Sequence, residues 1–327
     1  MSLAEFDLID RIRERSRARE DIVLGIGDDA ALLQAQPGHW LAVTADTLNS
    51  GVHFPPETLP ADLGWKSLAV NLSDLAAMGA MPAWGTLAMS LPTAEAAWVD
   101  AFADGFFALA DAHDWRLVGG DTTRGPLSIS VTALGQVPHG KALRRDGAQP
   151  GDDVWVSGTP GEAAVALQLW QRGALDIPPT AESADIEHLR QRLLRPTPRV
   201  SLGIALRGLA TAAVDVSDGL LADLGHIAER SGVAARIDVE AVPVSAYSRR
   251  VLGDDAARDA ALRGGDDYEL CFTASPVHRG SMASLAERLD LPLTRIGCVG
   301  RGSGVQADGT SGPRGYQHFA AQGHHDR

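Results

Sequence analysis

Apolar positions recur along the chain with two periods, and the alternation between them predicts its elements. Residues 5–19 carry Phe6, Leu8, Ile9 and Ile12 at helical spacing on a charged background, which predicts an amphipathic helix. "VLGIGDDAALL" (23–33) reads as an apolar strand, a glycine turn and the start of a helix. "WLAVTADTL" (40–48) has strand character and ends in polar residues. Residues 61–80 predict a long helix, with Leu63, Leu68, Val70, Leu72, Leu75 and Met78 setting the period and Gly79 the stop. A strand at 82–91, a helix at 94–114 and a strand–glycine turn–strand unit at 115–137 follow. Turn residues then cluster near 147–152. Beyond them lie a strand in "DVWVSG", a helix from Glu162, and strands at 211–216, 234–239, 269–274 and 294–299. Strands and helices alternate without a short βαβ repeat, so two α/β domains are expected, 1–147 and 148–327.

Composition narrows the partners. The 327 residues are 45% hydrophobic and 22% charged, ample for buried cores. A net charge of −13 argues against a nucleic-acid partner, whose phosphates require basic surface. Cys271 and Cys298 are too few for a disulfide framework and form no CxxC pair, which fits a reducing cytoplasm. The charged N-terminus has no signal-peptide core, and no run approaches the roughly 18 apolar residues of a membrane span.

Candidate chemistry begins at "GIGDDAA", where Gly25, Gly27 and Ala30 fit the dinucleotide pattern G-x-G-x-x-A. Asp28 and Asp29 spoil that reading, because a pyrophosphate there needs bare backbone N–H groups and not two carboxylates. A phosphate ligand at this turn would need a cation between. Aspartates recur where other predicted elements end: Asp46, Asp121, Asp215, Asp218, Asp266 and Asp267. Each alone is explained by a helix cap or an Asx turn. Asp74 is not, since it falls inside the helix at 61–80 among small apolar neighbours. A buried carboxylate needs a cation, either Lys66 two turns back or a metal ion. Oxygen ligands spread over many loops, with no Cys/His cluster, suit Mg²⁺ shared with a polyphosphate.

"GIGDDAA", "DTLNSGVHF", "GWKSLAVNLSDLAAMGAMP", "GGDTTRG", "RPTPR", "DVSDGLLADLGHI", "GGDDYELCF" and "GYQHFA", in that order, resemble the thiamine-monophosphate kinase family of the aminoimidazole-ribonucleotide synthetase superfamily. The resemblance covers most of the chain. It implies an α/β (α+β) fold of two domains: an N-terminal ATP- and Mg²⁺-binding domain that dimerises through its sheet, and a C-terminal α/β domain. The implied reaction is ATP + thiamine monophosphate → ADP + thiamine diphosphate, in a cytoplasmic homodimer with no membrane partner.

Carried over by motif, Asp29, Thr44, Asp46, Asp74, Asp121, Asp215 and Asp218 would hold several Mg²⁺ ions, and Ala45 could contribute only its carbonyl. Gly120, Asp121, Arg145 and Ser217 would contact ATP. His53, Asp266 and Tyr316 would contact thiamine monophosphate. Asp266 stands where relatives often carry Glu, one methylene shorter. The acceptor phosphate is already anionic, so no base is needed; the carboxylates are expected to act as a metal scaffold, and no side chain is expected to become a covalent intermediate. "SGTPGEAA" (157–164) lacks a P-loop lysine and is expected to be structural. Two other readings stand beside this one. One is a different ATP-dependent synthetase of the superfamily, although a selenophosphate synthetase would want an N-terminal cysteine. The other is a nucleotide- or Mg²⁺-binding regulator without turnover.

Overall fold

The computed structural model describes residues 5–176 and 184–307. Its first half runs α1 (Glu5–Arg13), β1 (Ile22–Leu24), β2 (Leu32–Leu33), β3 (His39–Asn49), α2 (Pro60–Ala77), β4 (Met81–Leu91), α3 (Ala96–Ala112), β5 (Arg116–Arg124) and β6 (Ser128–Pro138). β3, β6, β4 and β5 form one sheet in that spatial order, antiparallel except for β4 against β5. The parallel pair follows from α3, which carries the chain back over the sheet between them. Ile129, Val131, Leu87, Met89 and Leu91 point to the face that α2 and α3 cover, in period-two alternation.

The two covering helices cross with backbones nearly touching. A Cβ on Gly64 would lie 2.1 Å from the Phe102 carbonyl oxygen, and one on Gly105 would lie 1.8 Å from that of Ala61. Only glycine fits either place. This crossing sinks α2 so deeply that Leu68, Leu72 and Leu75 are fully enclosed, together with the polar Lys66, Asn71 and Ser73.

The second half runs β7 (Asp153–Ser157), α4 (Glu162–Gln171), α5 (Ala184–Leu194), α6 (Val200–Ala205), β8 (Ala210–Val216), α7 (Leu220–Ser231), β9 (Ala234–Ile237), α8 (Ala246–Leu252), α9 (Asp254–Arg263), β10 (Glu269–Ala274), α10 (Arg279–Leu289), β11 (Leu293–Gly300) and β12 (Gly304–Ala307). Its six strands are ordered β12-β9-β11-β7-β10-β8, and only β12 and β9 pair in parallel. One apolar cluster runs across both halves: α2 and α3 share it with Trp155, Leu270 and Phe272 on the second sheet. α2 is therefore a common wall, which is why its polar residues can serve both sheets.

Two expectations are corrected. No helix follows the "GIGDD" turn. β1 and β2 form a short antiparallel hairpin instead, seated through Ile22, Ala31 and Leu33 on Ala83, Trp84 and Val118 of the outer sheet face. The apolar run is too short to fill a helical stripe, and the sheet offers it a ready partner. α1 also ends at Arg13 and not near 19. The Ser16 hydroxyl donates to the Leu117 carbonyl at 2.7 Å, and the Arg19 guanidinium donates to Asp21 at 2.7 Å and to the Ala83 carbonyl at 3.0 Å. Those tertiary bonds pull the chain out of helix. Among the described residues, no helix is long and apolar enough to cross a membrane.

Candidate active site

A single turn of α2, from Asn71 to Asp74, carries the polar groups that tie the two sheets together. The Asn71 side-chain oxygen accepts the Asp46 backbone N–H at 3.2 Å, fixing the middle of β3. The Ser73 hydroxyl donates to Asp215 Oδ2 at 2.7 Å, fixing the end of β8. Asp74 accepts a hydrogen bond from the Thr44 hydroxyl. Asp46, Asp74 and Asp215 thus converge from β3, α2 and β8. Burial pushes Asp46 up to about 6, with the neighbouring Asp74 charge adding to it. Asp215 is pushed up to about 8 by burial and then by Asp74. Asp74 is raised as well, chiefly by burial, while Thr44 and Arg145 oppose the shift. Carboxylates so placed stay ionised together only if a cation joins them.

That cation is not Lys66. Its ammonium is engaged with Asp266 Oδ2 at 2.9 Å and with the Leu193 carbonyl at 3.1 Å. The lysine reaches from α2 to two partners in the second half of the chain.

The loop after β8 is built by a residue the sequence reading passed over. Asp223, in the first turn of α7, reaches back to accept the N–H groups of Ser217, Asp218 and Gly219 at 3.0, 3.0 and 3.1 Å. Burial pushes its carboxyl up to about 7 even against those three donors. Asp218, Asp223 and His226 each offer a ligand atom within 4.8 Å of the others, a second place where oxygen and nitrogen donors gather. Their spacing in "DGLLADLGHI" was visible: Asp223 and His226 are three apart and share a helix face.

Two cavities meet at Asp74 and Asp215. The first, of about 700 Å³, is walled by Thr44, Arg144, Arg145, Asp146, His226, Glu229 and Arg230, with Arg144 paired to Asp146 and Arg145 left facing Asp74 and Asp215. Arg145 belongs to the connection between the halves, and its carbonyl is held by the Ser231 hydroxyl at 2.9 Å. The second, of about 500 Å³, carries Asp46, His53, Asp218, Asp266 and Tyr268 beside an apolar wall of Leu48, Val52, Val70 and Leu167. His53 Nδ1 accepts the Asn49 N–H at 3.0 Å, which leaves Nε2 as the protonated nitrogen of the neutral ring. Asp267, next to Asp266, points elsewhere: it is buried and accepts the Gly161 N–H at 2.6 Å at the start of α4. A further cavity of about 910 Å³ lies between β9, β11 and α9. Its Arg258 and Arg263 are already paired with Glu240 and Asp259, at 2.9 and 2.8 Å.

Of the residues singled out in the sequence, Thr44, Ala45, Asp46, His53, Asp74, Arg145, Asp215, Ser217, Asp218 and Asp266 line these two adjoining cavities. Asp29, Gly120 and Asp121 do not. Asp29 is exposed on the β1–β2 turn, and Gly120 and Asp121 are exposed on β5, the sheet edge opposite β3. Tyr316 lies outside the described residues.

Residues 27–137 match the family described as AIR synthase related protein, N-terminal domain, and residues 149–309 match its C-terminal domain. Thiamine-monophosphate kinase of Salmonella typhimurium is 49% identical over 327 aligned residues, covering 98% of this chain and 99% of that protein. The enzyme of that name from Escherichia coli is 48% identical, with the same 98% and 99% coverage. The crystal structure of thiamine-monophosphate kinase from Stenotrophomonas maltophilia aligns with a TM-score of 0.89 at 68% identity, over 94% of this chain and 98% of that one. AaThiL complexed with AMPPCP and TMP aligns with a TM-score of 0.77 at 34% identity, over 98% and 99%.

Proposed function

The chain belongs to the thiamine-monophosphate kinase family, and from that premise we propose that its two adjoining cavities are the donor and acceptor halves of one phosphoryl-transfer site. The activity is ATP-dependent transfer of a phosphoryl group to thiamine monophosphate, giving thiamine diphosphate and ADP. The observation that carries the assignment of sites is the shared pair Asp74 and Asp215, which borders a cavity walled by arginines on one side and a cavity with an apolar wall on the other. The arginine-walled cavity suits a triphosphate. The other suits a heterocycle with an anionic tail directed at the carboxylates.

The acceptor phosphate is anionic at neutral pH, so no residue has to remove a proton to create the nucleophile. The difficulty is bringing two anions into line. Bound Mg²⁺ would supply the charge neutralisation, and the donor set fits it: hard oxygens from β3, α2 and β8, held close against their own repulsion. We assign Asp29, Thr44, the Ala45 carbonyl, Asp46, Asp74, Asp121, Asp215 and Asp218 to that role. Gly120, Asp121, Arg145 and Ser217 bind ATP, with Arg145 placed near both Asp74 and Asp215 to hold phosphate oxygens. His53 and Asp266 bind thiamine monophosphate, His53 as a hydrogen-bond donor through Nε2, and Tyr316 joins them.

The reading places the enzyme in the cytoplasm and divides it into domains at 147/148. It also requires a homodimer. Across the first sheet, Asp46 is level with Val131, Leu87 and Gly120 in one row of paired residues. Gly120 and Asp121 therefore stand at the height of Asp46 but three strands away, about 14 Å by ordinary strand spacing. A second copy laying its β5 edge along β3 would bring them back to the site. The outer face, where Asp29 sits on its hairpin, has Leu41 and Val43 exposed at 48% and 62%, an apolar surface for a second sheet to cover.

The experiment is ADP release by the purified protein with Mg²⁺ and ATP, with and without thiamine monophosphate. Release that depends on thiamine monophosphate is expected. Equal release without it, or with aminoimidazole precursors only, would overturn the reading.

A further inference from the structure

Lys66 has 1% of its side chain exposed, in the middle of a helix whose neighbours are leucines and alanines. A buried ion pair stabilises a fold less than well-packed apolar groups of the same volume, so its presence calls for another account. Its partner supplies one. Asp266 keeps 30% side-chain exposure and lines the smaller cavity, while the lysine reaches it from behind, out of the other half of the chain. Asp266 Oδ2 takes the Lys66 ammonium at 2.9 Å, and Oδ1 takes the Tyr268 hydroxyl at 2.9 Å. Both carboxylate oxygens are thereby fixed, with lone pairs to spare for a donor in the cavity.

The backbone beneath is equally constrained. Asp266 and Tyr268 hold left-handed conformations, φ 68° and 53°, which non-glycine residues keep only when their surroundings insist. The Asp266 and Tyr268 N–H groups donate to the Ser217 and Val216 carbonyls at 2.9 and 2.8 Å. A Cβ on Gly265 would come within 2.3 Å of the Ser217 oxygen, so this loop lies flush against the one carrying Asp215 and Asp218.

We propose that Lys66 is a positioning residue of the acceptor pocket: from α2 it fixes the Asp266 carboxylate, together with Tyr268, in the orientation that meets the bound substrate. The proposal rests on the reading above that this cavity takes thiamine monophosphate. Lys66 touches no substrate itself. It acts through Asp266, and its effect falls on acceptor binding and not on the nucleotide or the transfer step.

Steady-state kinetics on the full-length protein test this with Lys66→Met, Asp266→Asn and the double variant. Lys66→Met is expected to raise KM for thiamine monophosphate roughly 10- to 100-fold, the range for loss of a hydrogen bond to a charged group. KM for ATP and kcat should stay within about threefold of wild type, as they would not if the change simply loosened the fold. The double variant should show the same KM for thiamine monophosphate as Asp266→Asn, because the carboxylate through which Lys66 acts is already gone. The double variant leaves neither charge unpaired, and Asp266→Asn keeps an amide oxygen for the ammonium, so this comparison decides the matter even if Lys66→Met folds poorly. A further rise in KM from Asp266→Asn to the double variant would overturn the proposal, as would a Lys66→Met enzyme with unchanged KM or with kcat and both KM values altered together. Wild-type protein that releases no ADP with thiamine monophosphate would instead overturn the functional reading beneath it.

Discussion

His53 and Asp74 separate two kinds of contribution that single side chains make to this site. His53 spends its Nδ1 lone pair on the Asn49 N–H, so Nε2 has a proton to donate and no lone pair with which to take one. It should bind and not act as a base. His53→Ala is expected to raise KM for thiamine monophosphate while kcat stays within about tenfold, the reach of one hydrogen bond. A hundredfold fall in kcat would show proton transfer, whose usual contribution is about 10²–10⁴. Asp74 stands between Asp46 and Asp215 and raises the proton affinity of both. Asp74→Asn removes that repulsion, so the metal-free protein should melt no lower than wild type at about pH 8. Its Mg²⁺-dependent ADP release should nevertheless fall by about a hundredfold or more, by analogy with losing one preorganised electrostatic contact in a transition state. Wild-type turnover with an unchanged Mg²⁺ titration would refute the role.

β3, the end of β8 and the start of α7 present a set of buried carboxylates that bind protons together. Asp46 near 6, Asp223 near 7 and Asp215 near 8 hold protons at pH values where unfolded aspartates, near 3.8, have released them. The folded state binds more protons than the unfolded state between about pH 4 and pH 8. These groups therefore make the metal-free protein less stable as pH rises through that window. If these oxygens hold Mg²⁺ as proposed, protons compete with it there, and metal binding strengthens as pH rises. The Mg²⁺-induced increase in Tm should be larger at about pH 8 than at about pH 5.5, measured by thermal melts at matched ionic strength. Equal increases at the two pH values would mean that these carboxylates do not hold the ion.

At the scale of the whole molecule, one chain carries every assigned group yet does not bring them all to one place. If two copies pair β5 against β3, each site uses Asp46 from one chain and Asp121 from the other. Asp46→Asn and Asp121→Asn homodimers should then both be inactive. Mixing them with exchange of chains should restore about a quarter of wild-type activity, because half the dimers become mixed and each mixed dimer keeps one intact site. No recovery after exchange, shown to be complete by mass, would place both residues in one chain's site.

The sequence by itself determined the order of the main elements, because the period of its apolar residues is a local property. It also exposed Asp74, since an aspartate in the interior of an apolar helix contradicts local preference. It marked Asp46, Asp215 and Asp266 through motifs whose spacing is equally local. The tertiary structure decided what local pattern does not contain. The run after Gly27 became a hairpin strand because a sheet face lay beside it. Lys66 paired with Asp266, 200 positions away and not eight, because α2 serves as a wall for both halves. Asp223 gained its role by folding back on three N–H groups of the turn that leads into its own helix. In the first two cases the partner is distant in sequence, and in the third it is a near neighbour whose bond local pattern does not announce; burial gives each contact its strength, because in a low-dielectric interior a buried polar group takes whichever partner the packing brings near, and packing is settled only when the whole chain is folded.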